Sequence, residues 1–78
     1  MEIWAADYKG FKIVSEKYGD NSADFYAVDS NDQRVTMVHH IDSGLFISLV
    51  RKLGPKEANI MMIDTVKEDI DQQNFVNS

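Results

Sequence analysis

A short helix with both of its ends written in constrains this chain most. Asp42 is placed to cap residues 43–53, and Ile41 before the cap forms a hydrophobic staple with Phe46 at the fourth helical position. Leu45, Phe46, Leu49, Val50 and Leu53 follow the helical period, and Gly54-Pro55 ends the run. At about 100° per residue these five span roughly 140° of the helix, and Ile47 widens the arc to roughly 200°. Gly44, Ser48, Arg51 and Lys52 share what remains. So narrow a polar strip demands a covering surface.

The residues ahead of the helix supply it. Glu2–Asp7 is a short apolar opening (Ile3, Trp4, Ala5, Ala6), expected as a first strand, and Tyr8-Lys9-Gly10-Phe11 supplies a turn. Phe11–Tyr18 reads as a strand by alternation, and Gly19-Asp20-Asn21-Ser22 is loop chemistry. Phe25–Asp29 and Arg34–His40 flank the turn Ser30-Asn31-Asp32-Gln33 and read as a hairpin. Short strands joined by tight turns pair antiparallel, since parallel pairing needs long crossovers. The first helix follows the last strand closely and is the natural cover for one sheet face.

Pro55–Phe75 has two readings. As one helix it starts well, with Gly54 near the cap, Pro55 at the first position and Glu57 in the first turn. Met62, Ile63, Val66 and Ile70 then lie within about 100° on one face. The alternative makes Ile60–Ile63 a strand and starts a helix at the capping box Thr65-x-x-Glu68. Propensity favours the single helix.

The expected architecture is α+β: an antiparallel β-meander of three to four strands over 2–40, followed by two α-helices (42–53 and 55–75) packed on one sheet face. All of it forms one domain, 1–78, with a polar Asn77-Ser78 tail. Expected core positions are Ile13, Phe25, Ala27, Val35, Met37, Leu45, Phe46, Leu49, Val50, Leu53, Met62, Ile63, Val66 and Ile70. A chain of 78 residues buries only about 60–65% of its unfolded surface, which leaves little room for a deep pocket beside a core.

Composition excludes several kinds of chemistry. With no cysteine there is no disulfide, thiolate nucleophile or Cys-based zinc site, which fits a reducing compartment. The opening ten residues lack a basic n-region and an apolar h-region, and no apolar run approaches the ~20 residues of a membrane span. The expected location is cytoplasmic, in a bacterial host if the chain is phage-encoded. A formal charge of −5 argues against direct nucleic-acid binding and for a basic partner.

No catalytic constellation emerges, and no cofactor or metal is expected. The four glycines form neither G-x-x-x-x-G-K nor G-x-G-x-x-G. His39-His40 in a strand point to opposite faces, so they cannot share a metal; one half-buried and one solvated ring is the plainer reading. Asp29-Ser30-Asn31-Asp32 starts like a calcium loop but has Arg34 and His40 where the glycine and the bidentate glutamate belong. The aromatics Trp4, Tyr8, Phe11, Tyr18, Phe25 and Tyr26 are not interleaved with enough basic residues to serve as a nucleic-acid stacking platform.

Acidic patterning carries the most functional content. Asp20, Asp24, Asp29 and Asp32 fall in a thirteen-residue stretch without Lys or Arg, at two successive loops. On a single helix, Glu57, Asp64, Glu68 and Asp71 lie within about 60° of each other, neighbours on the order of 5–6 Å apart. That spacing is close to that of phosphates along a nucleic-acid strand. Met61 sits beside the ridge as an apolar anchor, and Phe75 continues it. The plainer reading of such a ridge is a solvated helix face.

Strand–strand–strand–helix with a helix after it is similar to many small folds, including arm-type DNA-binding domains of phage integrases, though the loops here are acidic. In being short, acidic and free of cysteine and catalytic residues, the chain resembles phage-encoded inhibitors such as anti-CRISPR proteins and DNA mimics. Immunity proteins and antitoxins seated on a basic toxin share that profile. The resemblance implies a non-catalytic protein-binding domain that blocks a nucleic-acid-binding protein or nuclease through carboxylates. The alternative is an obligate homo-oligomer or accessory subunit; a small enzyme is the third reading.

Overall fold

The structure, a computed structural model, describes residues 2–76, with side chains from Ala6 onward; the Asn77-Ser78 tail and the Trp4 side chain lie outside the described residues. Strands β1 (Glu2–Tyr8), β2 (Phe11–Lys17), β3 (Ala23–Val28) and β4 (His39–Ile41) form one sheet in the order β1-β2-β3-β4. All neighbours pair antiparallel. Helices α1 (Ser43–Leu53) and α2 (Pro55–Asp71) follow, giving the expected α+β meander with its helices on one sheet face.

Local chemistry sets the turns. Lys9 (φ 50°) and Gly10 (φ 85°) form a two-residue hairpin with both central residues left-handed, which matches strand twist. Asp20 accepts from the Ser22 amide, and Asp29 from the amides of Asn31 and Gln33, so each aspartate folds its own loop.

The last strand departs from expectation. Arg34 still bridges Val28, but the ladder resumes only at Phe25–His39. Three steps along β3 are thus matched by five on the other side. In the surplus, the buried Thr36 hydroxyl accepts from the Ala27 amide where a strand would offer a carbonyl. The excursion leaves Met37 52% exposed, not in the core, and Arg34–His40 is not one strand.

At α1 the Asp42 carboxylate accepts from the Leu45 amide at 2.8 Å, and Ile41 and Phe46 are both buried, as a staple requires. Gly54 alone separates the helices, at φ 87° and ψ 158°. Pro55–Asp71 is a single helix, and Ile60–Ile63 is not a strand. It stops four residues short of Phe75: Gln73 (φ 55°) is left-handed, and the amides of Gln73 and Asn74 return to the carbonyls of Ile70 and Asp69. That is a Schellman end without glycine. Phe75 turns back instead, pairing with Thr36 and packing on Phe11 with ring centroids 5.5 Å apart.

The core joins Ile13, Ala23, Phe25, Ala27 and Ile41 of the sheet to Phe46, Ala58, Val66 and Ile70 of the helices. Val35, Leu49, Val50, Met62 and Ile63 pack around it, half-buried. It is α2 that lies across β3 and β1, while α1 leans on α2. Leu45 (55% exposed), at one edge of α1's apolar arc, and Leu53 (43%), in the middle of the arc but on the last residue of the helix, therefore stay outside the core where periodicity placed them.

Candidate functional surfaces

The nine candidate residues do not form one surface. Ala58, Val66 and Ile70 turn the inner face of α2 into the core, so Glu57, Met61, Asp64 and Glu68 fall on the opposite side, all exposed. Asp64 has 63% of its side chain in solvent, with Lys67 Nζ 4.0 Å away. Glu68 accepts from Gln72 at 3.3 Å. Exposed Ile60 and Met61 sit among these acids.

Asp71 is taken off this ridge. The Tyr8 hydroxyl donates to both of its oxygens at 3.0 Å, and Lys9 pairs with it. Lys67 Nζ lies 5.1 Å from the centre of the Tyr8 ring. The Lys9 ammonium first, then the Tyr8 hydroxyl, hold Asp71 below the usual carboxylate range, and the same bond raises Lys9. This cluster ties the end of α2 to the β1–β2 hairpin.

The acidic run of 20–32 is divided. Asp20 sits in the β2–β3 turn while Asp29 and Asp32 sit in the β3–β4 connection, at opposite ends of a six-residue strand spanning about 20 Å. Hydrogen bonds from the Ser22 hydroxyl and amide lower Asp20. Asp24 is opposite His40 in the ladder and faces away from the helices. The Tyr18 hydroxyl donates to one of its oxygens at 2.5 Å, and His40 Nδ1 lies 2.6 Å from the other. Burial pushes this carboxyl up, but the two bonds outweigh it and leave it low.

On that open face β2 and β3 carry a shallow groove of about 630 Å³. Its floor is Val14, Tyr26 and Val28, with Lys12 at one end and Glu16 and Asp24 at the other, in ladder order. Alternation gave these positions their face, but their charge sorting appears only once the strands are in register.

The two histidines do point to opposite faces, His39 half-buried and His40 exposed. His39 Nε2 lies 2.5 Å from Asp69 Oδ2, a pair that pins β4 to α2. Nothing in the sequence pattern marks Asp69 except its place three residues after Val66, on the inner face of α2. No group of three or more metal-ligating side chains gathers among the described residues, and none of their helices is long and apolar enough to cross a membrane. Compared with protein-family models, curated proteins and solved structures, the chain matches none.

Proposed function

We propose that this chain is a non-catalytic protein-binding domain that acts in the cytoplasm and inhibits a nucleic-acid-binding protein or nuclease. Its carboxylates would occupy lysines and arginines that otherwise hold phosphate. One observation carries the reading: Glu57, Asp64 and Glu68 stand exposed around an exposed methionine on the outer strip of α2. Desolvating Met61 and Ile60 supplies affinity, while the acids supply steering and register. Asp20, Asp24, Asp29 and Asp71 are engaged in local bonds and rank behind them as contacts. Asp32, exposed in the turn, stands apart on the far end of the sheet.

The test is capture of partners from a bacterial lysate at low and high salt, comparing the native chain with Asp64→Lys/Glu68→Lys. A basic nucleic-acid-handling protein should be held at low salt and released as salt screens the charges, and the variant should lose it while remaining folded. Capture that is indifferent to both salt and the variant removes the α2 strip from the account. An immunity protein or antitoxin would use the same strip and would be separated by the identity of the captured protein.

A further inference from the structure

Because α1 leans on α2 and not across the sheet, one flank of it stands open beside the β2–β3 turn. Phe46, Ile47, Val50 and Arg51 fall within about 140° of each other around this helix. With Asn21 of the turn and Pro55 at the start of α2, they line a concavity of about 410 Å³. Phe46, Ile47, Val50 and Pro55 make its walls apolar, and Ile47 is 38% exposed.

The polar groups at this concavity have one sign. Arg51 is exposed and pairs with no carboxylate among the described residues. Lys17, at the end of β2, holds its Nζ 5.3 Å from the centre of the Phe46 ring. No carboxylate is among the lining residues. Asp20, next to Asn21 in the chain, accepts from the amide and hydroxyl of Ser22 instead. In a chain of formal charge −5, the local sign is reversed. From this we infer that the concavity docks a short acidic segment of a partner protein, an apolar side chain seated between carboxylates.

Both halves of that description are needed. An apolar side chain laid on Phe46, Ile47, Val50 and Pro55 leaves water, which supplies affinity. The same contact dries the rim, and an Arg51 left without an anion there would lose hydration and regain nothing. A carboxylate answers this, because it accepts two parallel bonds from a guanidinium fork. A second carboxylate on the other side of the anchor falls toward Lys17. The volume lies in the lower part of the range for ligand sites and suits one large side chain with its neighbouring backbone. A single anchor in an open concavity binds weakly, with a Kd on the order of 100 μM. The site takes a partner of the sign opposite to that assigned to α2, and it does not rest on that reading.

The test is a titration followed by the amide resonances of the chain. The probe is a blocked five-residue peptide with phenylalanine between two aspartates and glycine at each end. Shifts should centre on Asn21, Phe46, Ile47, Val50 and Arg51. Replacing the phenylalanine of the peptide by serine, or its aspartates by asparagine, should each weaken binding roughly fivefold or more. Arg51→Gln and Ile47→Ala should do the same, while resonances outside the concavity keep their places and show that the variants remain folded. No shift at about 1 mM peptide overturns the inference, as do shifts centred elsewhere or binding indifferent to the peptide exchanges. Tighter binding of octanoate than of the peptide would assign the concavity to a lipid, and the same shifts on concentrating the chain alone would assign it to a second copy; either overturns the inference. These amides report on α1 and the β2–β3 turn, whereas lysate capture reports on the acids of α2, so either proposal can fail without the other.

Discussion

At the scale of single residues the molecule balances two kinds of polar group. Ser15 faces the helices beside Ile13 and opposite Phe25, buried, and its hydroxyl has no hydrogen-bond partner. A buried hydroxyl without a partner loses its water and regains nothing. Ser15→Ala should therefore raise unfolding stability by about 1 kcal/mol, measured by urea denaturation, and a loss would show that the hydroxyl is satisfied. Tyr18 is the opposite case. Its bond to Asp24, then burial, push its hydroxyl up to about 12. An unfolded chain releases that proton near pH 10, so between pH 10 and about 12 the fold holds a proton that the unfolded state has lost. Stability is complete below this window and should fall across it. Asp24→Asn should flatten that loss, with tyrosinate absorbance and urea midpoints followed together; an unchanged slope would exclude the Tyr18–Asp24 bond as its source.

At the scale of elements, ends decide more than interiors. α1 begins where Asp42 caps it and stops because Gly54 takes a φ of 87° with ψ 158°, a region open in practice only to glycine. A Cβ there would meet nothing within 4 Å, so the cost of a side chain is conformational and not steric crowding. Gly54→Ala should cost about 1–3 kcal/mol in thermal or urea unfolding. A neutral result would mean that the junction relaxes to another backbone shape. The same element logic explains two departures from the sequence reading. α2 ends at Asp71 because Gln73 adopts the left-handed conformation without the glycine or asparagine that signals such an end. The Arg34–His40 run leaves the ladder because the hydroxyl of Thr36 competes for the Ala27 amide.

At the scale of the whole molecule, charge is sorted by face. The acids of α2 look one way, and Asp24 with Glu16 looks the other, across the thickness of the sheet. The sequence shows two acidic features, the 20–32 stretch and the α2 ridge, and folding thins both of them. Asp71 is drawn to Lys9 and Tyr8, while Asp20 and Asp29 are used to shape turns. What remains open on α2 is a shorter mixed strip, Glu57, Met61, Asp64 and Glu68, beside a basic and apolar α1.

The helical period, the caps at Asp42 and Gly54-Pro55, and the strand alternation from Phe11 to Asp29 were enough to determine an antiparallel meander with two helices on one face. Each of these is a local preference acting over a few residues, and here the local preferences agree. Which helix lies across the sheet, that His39 pairs with Asp69 and His40 with Asp24, and which carboxylates stay free were decided only by tertiary structure. Those outcomes depend on groups distant in the chain arriving at one place, with burial and hydrogen bonding then favouring one partner over the others.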